Sequence, residues 1–120
     1  MKIQTVRQVK ILTPLQMNGL QFFVEGLQRQ LKTHLHGVVL FGSTARGDRK
    51  RGSDIDLLVL VNKLPHHQKD IVYQHLVEEE LQWNSNLSPK VYDWKEYQKN
   101  KLLGTPFTME VERDGILLAA

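Results

Sequence analysis

Apolar residues recur every three or four positions in the first third of the chain, the spacing that places side chains on one face of a helix. Before them come Thr13, Pro14 and Gln16, residue types favoured at the N-cap, the first helical position and the capping box. The pattern predicts a helix from Pro14 to Leu35 that packs one face on a sheet, ended by Gly37 in a left-handed conformation. The apolar positions are Met17, Leu20, Phe23 or Val24, Leu27, Leu31 and Leu35.

A second helical pattern spans about His66 to Trp83. Tyr73, Val77 and Leu81 fall at i, i+4 and i+8 and predict its apolar stripe. The three glutamates at positions 78 to 80 are expected on its solvent-exposed face. Further apolar residues flank the stripe: Val72, Leu76 and Trp83.

Short apolar runs predict strands at Val38 to Phe41, Ile55 to Val61 and Leu87 to Tyr92. A turn is expected over Asn62 to Pro65, with the proline opening the second helix. This order of elements predicts an α/β (α+β) fold, a small mixed β-sheet flanked by helices, with the functional site at the sheet edge. The C-terminal elements are a helix from Asp93 to about Leu102, a helical turn from Phe107 to Arg113, and a terminal strand or core plug from Ile116 to Leu118.

Length and composition limit the classes of protein to which the chain can belong. At 120 residues it is expected to form one domain, residues 1–120, around a single core. Hydrophobic residues at 41% and charged residues at 24% are ordinary for a soluble globular protein. Cysteine is absent, which excludes disulfides and thiolate zinc sites. No segment has the pattern of a secretion signal or the length of a membrane span, so the expected location is the cytoplasm and no membrane partner is expected.

Two aspartates, Asp54 and Asp56, stand where the second predicted strand begins. Because successive strand residues point to opposite faces, both carboxylates project from one face while Ile55 and Leu57 point to the other. Like charges held this close resist joint ionisation unless a cation lies between them. Carboxylate oxygens suit a hard divalent ion, so the pair predicts a site for Mg²⁺ or Mn²⁺.

A glycine and a serine, Gly42 and Ser43, directly follow the first predicted strand. Glycine lets the backbone bend tightly, and a short helix starting here would turn main-chain N–H groups toward an anion. Arg46 adds positive charge at the same place. Phosphate-binding groups beside metal-binding carboxylates predict a nucleoside triphosphate with magnesium as the ligand, although each dipeptide alone would also suit an ordinary loop. Further cations follow in the loop: Arg49, Lys50 and Arg51.

Six positions within fifteen residues form a signature: Gly42-Ser43, Arg46-Gly47 and the two aspartates of Asp54-Ile55-Asp56. This arrangement resembles the G-S-x-x-R-G … D-x-D motif of the DNA polymerase β-like nucleotidyltransferase superfamily, in particular its minimal nucleotidyltransferase (MNT) members. The resemblance implies the nucleotidyltransferase fold and an enzyme that transfers a nucleoside monophosphate, AMP from ATP, to a hydroxyl acceptor with release of pyrophosphate. It also implies that the two aspartates are catalytic metal ligands and that Gly42, Ser43 and Arg46 bind the nucleotide.

Members of this superfamily that catalyse usually carry a third carboxylate on the strand beside the D-x-D pair. The acidic residue available near the third predicted strand is Asp93. Asp93-Trp94-Lys95-Glu96 also has the form of an N-cap with a capping box. Asp93 is therefore either the third catalytic carboxylate or the cap of the next helix, and the sequence leaves both open.

The resemblance also implies a second kind of function. Small proteins of this type are often paired with a helical HEPN-type protein as the antitoxin half of a toxin–antitoxin pair, so the chain could be an interaction module that only binds nucleotide. A chain this short also suggests that a partner or a homo-oligomer completes the acceptor site. Nucleic acid is the least favoured partner, because the net charge is only +3 and no interleaving of aromatic and basic residues marks a binding surface.

Overall fold

The computed structural model describes residues 1–62 and 66–120, so the turn predicted over Asn62 to Pro65 lies, from position 63 onward, outside the described residues. Within these ranges the chain forms five strands and five helices. The strands are β1 (Lys2–Ile3), β2 (Leu35–Leu40), β3 (Ile55–Val61), β4 (Leu87–Asp93) and β5 (Ile116–Ala119). The helices are α1 (Pro14–Leu31), α2 (Gly42–Arg46), α3 (His66–Gln82), α4 (Trp94–Leu103) and α5 (Pro106–Asp114).

The strands form one mixed sheet in the order β1-β5-β2-β3-β4. β2 runs antiparallel to both β3 and β5, whereas β3 and β4 are parallel. A parallel pair needs a crossover connection, and α3 provides it between β3 and β4. The predicted small mixed sheet flanked by helices is confirmed, and the C-terminal apolar segment is a strand of this sheet.

Helices cover both faces of the sheet. On one face, α1 and α3 pack on alternate residues of the central strands, among them Val38 and Val59. On the other face, α4 and α5 enclose a smaller apolar cluster that contains Val39 and Leu58. Among the described residues, no helix has the length and apolar character needed to cross a membrane.

Helix α1 begins as predicted and ends earlier. Thr13 Oγ1 accepts from the Gln16 amide at 3.1 Å, and Gln16 Oε1 accepts from the Thr13 amide at 2.9 Å, which completes the capping box. The predicted extension to Leu35 is wrong, because Leu35 is already in β2 and pairs with Val61. Gly37 is a β2 residue as well and not a helix cap. Strand pairing therefore overrides the helical spacing of the last apolar position.

Helix α3 packs with a different face from the one that the sequence predicts. Tyr73, Val77 and Leu81 are 46%, 53% and 84% exposed, whereas His75 and Glu79 are buried, Glu79 completely. The prediction that the apolar stripe packs inward and that Glu79 faces solvent is therefore wrong. The exposed residues Tyr73, Val77 and Leu81 are called the α3 stripe below.

Two glycines of α1 account for this orientation. A Cβ atom on Gly26 would lie 2.6 Å from Nδ1 of His75, and one on Gly19 would collide with the carboxylate of Glu79. Because glycine has no side chain, α1 leaves two hollows at a spacing of two helical turns, and the polar side chains of α3 fill them. The Ser85 amide donates to Glu79 Oε2 at 3.1 Å and satisfies part of the buried carboxylate.

Replacing Gly26 by alanine is expected to lower the free energy of unfolding by roughly 1–2 kcal/mol, because overpacking against the buried His75 ring outweighs the better helix propensity of alanine. Chemical denaturation of the two proteins measures the difference. In a His75→Ala background the same substitution should become stabilising, since the hollow is then empty. A Gly26→Ala protein that is more stable than the wild type would contradict this account of the α1–α3 contact.

Candidate active site

Asp56 lies at the start of β3, on the face that α4 and α5 cover. The next inward-facing residue on that face is Leu58, which belongs to the same apolar cluster as Tyr97 of α4 and Val111 of α5. Partial burial, and then the charge of Asp54, raises the pKa of Asp56 above its ordinary value. The structure thus brings the two predicted aspartates together, with Asp56 in β3 and Asp54 directly before this strand.

The predicted Gly-Ser turn packs directly against Asp56. The Phe41 amide donates to the Asp56 carbonyl at 3.0 Å, and α2 begins at the next residue, Gly42. Gly42 has φ +71°, and a Cβ atom there would collide with the Asp56 carboxylate. Glycine is needed at this position both for its backbone conformation and for the close approach of the acidic side chain. The residue after it, Ser43, lies in the first turn of α2.

Arg46 ends α2 and is held by acidic residues on two sides. Its Nε donates to Asp48 Oδ2 at 3.3 Å, and its Nη1 donates to Glu110 Oε1 of α5 at 3.2 Å. Both Arg46 and Glu110 are near enough to Asp56 to shift its pKa, Arg46 downward and Glu110 upward. Glu110 is therefore a third carboxylate in the neighbourhood of the pair, contributed by a helix and not by a strand.

Lys90 is a cation of the site that the sequence analysis missed. The parallel register pairs Asp56 with Ser88 and Leu58 with Lys90, so Lys90 lies on the same face as Asp56. Its charge lowers the pKa of Asp56 and opposes the effect of Asp54. The Lys90 Nζ atom also lies 5.9 Å and 5.7 Å from the ring centroids of Phe41 and Phe107, a cation–π arrangement. The alternation along β4 predicts that Ser88, Lys90 and Tyr92 share one face of the strand, but only the register shows that this is the face of Asp56.

Asp93 lies at the other end of β4 from the aspartate pair. Its register partner is Val61, whereas Asp56 pairs with Ser88, five residues earlier. At about 3.3 Å per residue, that offset corresponds to roughly 16 Å along the strand. Asp93 Oδ2 accepts from the Glu96 amide at 3.3 Å as the N-cap of α4. The structure brings Asp93 to the start of α4 and not to the aspartate pair.

The remaining arginines of the loop lie elsewhere. Arg49 and Arg51 line a separate cavity together with residues of α1 and of the α3–β4 connection. Arg46 is thus the arginine of this loop that acts on Asp56. Arg49 and Arg51 therefore lie apart from the predicted phosphate site, although they belong to the same loop as Arg46.

The aspartate pair fits a divalent cation. Partial burial and mutual repulsion both disfavour the ionised form of Asp56, and a cation bound between the two carboxylates would remove both effects. The donors are hard carboxylate oxygens, which Mg²⁺ and Mn²⁺ prefer. Among the described residues there is no group of three or more histidine, aspartate or glutamate side chains arranged to hold a metal. A cation here would therefore rely on two protein carboxylates and on oxygens of its substrate.

The residues around this site match a known domain family. The profile described as "Nucleotidyltransferase domain" matches residues 23–113, a segment that contains the Gly-Ser turn, the aspartate pair and Glu110. The chain belongs to the nucleotidyltransferase domain family. The predicted superfamily and the prediction of a nucleotidyltransferase enzyme are confirmed. A relative from Methanocaldococcus jannaschii, provisionally named a protein adenylyltransferase, is 34% identical over 95 residues, which cover 78% of this chain and 89% of the relative.

The chain also resembles solved structures. One, a toxin–antitoxin crystal structure with AMP-PNP, superimposes with a TM-score of 0.50 at 23% identity over 82% of this chain and 71% of its own. Another, a mutant of the toxin–antitoxin pair MntA-HpeT, has a TM-score of 0.48 at 21% identity over 81% of this chain and 70% of its own. At 23% identity, the superposition on the first structure shows that this nucleotidyltransferase shares its fold.

Proposed function

We propose that this nucleotidyltransferase transfers AMP from ATP to a hydroxyl acceptor and releases pyrophosphate. The observation that carries the proposal is the contact between the Gly42–Ser43 turn and the Asp54–Asp56 pair, through the 3.0 Å bond from the Phe41 amide to the Asp56 carbonyl. The proposed phosphate-binding turn and the two proposed metal ligands are thereby held together where β2 ends and β3 begins, in the middle of the sheet. The 34% identical relative, with its provisional name of protein adenylyltransferase, supports AMP as the transferred group and a protein hydroxyl as the acceptor.

Each residue of the site has a distinct task in this proposal. Asp54 and Asp56 would hold Mg²⁺ or Mn²⁺, which when bound neutralises triphosphate charge and acidifies an acceptor hydroxyl. The turn at Gly42 and Ser43 positions the terminal phosphates with main-chain N–H groups. Arg46 and Lys90 add positive charge near Asp56. This charge would stabilise the negative charge that accumulates on the transferred phosphoryl group and the leaving pyrophosphate. Positioning and electrostatic stabilisation thus account for the catalysis expected of the protein.

Calorimetric titration of ATP with magnesium into the wild type and into the Asp54→Asn/Asp56→Asn double variant tests the site. Magnesium-dependent binding is expected in the wild type and should be lost in the double variant. Asp70→Asn, on the exposed side of α3, removes an equivalent surface charge and should bind as the wild type does. Equal affinity of the wild type and the double variant would refute the assignment of the aspartates.

We further propose that Asp93 acts as a helix cap and not as the third catalytic carboxylate. Asparagine caps a helix about as well as aspartate, whereas it cannot serve as an anionic metal ligand or base. Asp93→Asn is therefore expected to keep transfer within about threefold of the wild type and to keep stability, while Asp93→Ala should lose about 1 kcal/mol of unfolding free energy. A pyrophosphate-release assay and thermal melts of both variants measure this. A hundredfold loss of transfer in Asp93→Asn would restore the catalytic assignment.

A second candidate function is that of an antitoxin-like module that binds a helical HEPN-type partner protein. The α3 stripe favours it, because three apolar side chains on one helical face are left exposed. Exposed acidic residues, Asp70, Glu78 and Glu80, flank the stripe and suit a partner surface with a basic rim. Stoichiometric co-purification with the product of a neighbouring HEPN-type reading frame would support this role, and its absence would count against it.

A further inference from the structure

The loop that connects α2 to β3 lines a cavity of about 410 Å³. This cavity contains none of the residues assigned to the nucleotide, because neither the Gly-Ser turn nor the aspartate pair lines it. Its walls come from the first turn of α1, the loop, and the α3–β4 connection. The lining residues are Thr13, Leu15, Gln16, Arg49, Arg51, Gly52, Trp83, Asn84, Ser85 and Asn86.

Two N–H donors of residues that line this cavity are buried without a hydrogen-bond partner in the part of the chain that the structure describes. They are Nε of Arg49 and Nε1 of Trp83. The hydroxyl of Ser85 is also buried without a partner, but it lies against Gly19 of α1, beside the Glu79 carboxylate. An N–H group can only donate, and leaving buried donors unsatisfied costs free energy, so two such donors in residues that line one cavity indicate a ligand that accepts hydrogen bonds.

The charge of the cavity specifies the ligand further. Two arginine side chains line it, and none of the described lining residues is acidic. The N-terminal turn of α1, an 18-residue helix, also contributes to the wall, and the positive end of its dipole favours an anion. Glu79 does not line the cavity. Its Oε2 accepts from the Ser85 amide at 3.1 Å, and its Oε1 is buried without a partner among the described residues.

The guanidinium of Arg49 is held in place before any ligand arrives. Its Nη2 donates to the Ser53 carbonyl at 2.7 Å, and its buried Nε has no partner among the described residues. Asn86 closes the wall beside it, since its side chain donates to the Gly52 carbonyl at 3.4 Å and its carbonyl accepts from the Ile55 amide at 2.9 Å. A preorganised donor set binds an anion with little loss of side-chain entropy.

We infer that this cavity is a second anion site, selective for a small phosphate-type anion and separate from the nucleotide site. Inorganic phosphate, pyrophosphate and the phosphate of AMP share the required chemistry, three or more acceptor oxygens with negative charge. The volume accommodates any of the three. The inference does not depend on the proposed transfer reaction.

The indole N–H signal of Trp83 in a ¹⁵N–¹H spectrum tests the inference, because the chain has two tryptophans and Trp94 lies outside the cavity. Phosphate, pyrophosphate and AMP are titrated in turn at constant ionic strength. We expect a saturable shift of the Trp83 signal, with the Trp94 signal unchanged, and the anion with the lowest dissociation constant identifies the source of the phosphate group. Linear, unsaturated shifts of both signals for all three anions would overturn the inference.

Two arginine variants and two controls complete the experiment. Arg49→Met and the exposed Arg51→Met should each weaken the saturable binding about tenfold, since each removes a charge-assisted contact. Arg29→Met, on the exposed face of α1, should leave it unchanged. The Asp54→Asn/Asp56→Asn variant should still bind phosphate in this cavity, which separates a failure here from a failure of the nucleotide site. Unaltered affinity in both cavity variants would overturn the inference even if the Trp83 signal shifts.

Discussion

Asp56→Asn is expected to reduce AMP transfer by about two to three orders of magnitude, the usual loss when one group that stabilises transition-state charge is removed. The substitution keeps the shape of the side chain and the backbone bond from the Phe41 amide, so the geometry of the turn should persist. The carboxylate charge needed to hold a divalent cation beside the triphosphate is lost. Pyrophosphate release with labelled ATP and the natural acceptor, or with water as a substitute acceptor, measures the effect.

The stability of the same variant provides its control. The folded-state pKa of Asp56 is raised by burial and by Asp54, so the folded protein binds this proton more tightly than the unfolded chain does. The ionised side chain therefore costs stability, a cost that is absent below its ordinary pKa of 3.8 and complete above the raised value. Without metal at neutral pH, Asp56→Asn should melt at or above the wild-type temperature. A lower melting temperature would mean that lost activity reflects lost structure.

Adding Mg²⁺ should change the melting temperatures of the wild type and of Asp56→Asn by different amounts. A cation between the carboxylates removes their repulsion, so it should raise the melting temperature of the wild type by linkage. Asp56→Asn lacks one of the two ligands and should show a much smaller rise. Equal stabilisation of both proteins would place the metal elsewhere on the chain.

The double variant Val77→Glu/Leu81→Glu is expected to abolish stoichiometric co-purification with the proposed HEPN-type partner. Both side chains belong to the α3 stripe and are 53% and 84% exposed, so the substitutions should leave the core intact. A carboxylate buried without a cation against an apolar partner surface costs several kcal/mol, enough to dissociate a micromolar to nanomolar complex. Co-expression followed by affinity purification and size-exclusion chromatography measures the loss.

A control variant on α4 tests whether the loss of binding is specific to the α3 stripe or follows from replacing any exposed leucines by glutamate. Leu102→Glu/Leu103→Glu changes two residues that are 90% and 71% exposed and lie outside the α3 stripe. This control should still co-purify with the partner. Retained binding by the α3 variant, or lost binding by both, would remove the α3 stripe from the proposed interface. Unchanged ATP binding by both variants would show that the nucleotide site is intact.

Local patterns were sufficient to predict much of the fold. The capping box at Thr13 and Gln16 depends on residues three positions apart, so the start of α1 could be predicted without tertiary information. Strand β3, a run of apolar residues buried on both faces, has the bounds that the sequence predicts, Ile55–Val61. The aspartate pair follows from local alternation, because Asp56 is the second residue of β3 and Asp54 comes directly before the strand.

The wrong or missing predictions share one cause. In each case the local sequence suits two arrangements equally well, and contacts with distant residues decide between them. The apolar face of α3 is exposed because hollows at two α1 glycines accept His75 and Glu79, which no periodicity within α3 can indicate. Leu35 satisfies both the helical spacing and a strand, and pairing with Val61 decides for the strand. Lys90 and Glu110 reach Asp56 from β4 and α5, so their roles depend on register and on helix packing.

The sequence by itself determined the family of this protein, its order of elements, and the turn and carboxylates of the candidate site, because each of these depends on residues close together in the chain. The tertiary structure alone decided which cations surround Asp56, where Asp93 lies, which face of α3 is buried, and that Arg49 and Arg51 enclose a second cavity. These features depend on contacts between residues distant in sequence. Their free energies arise only when sheet register and helix packing bring the groups together.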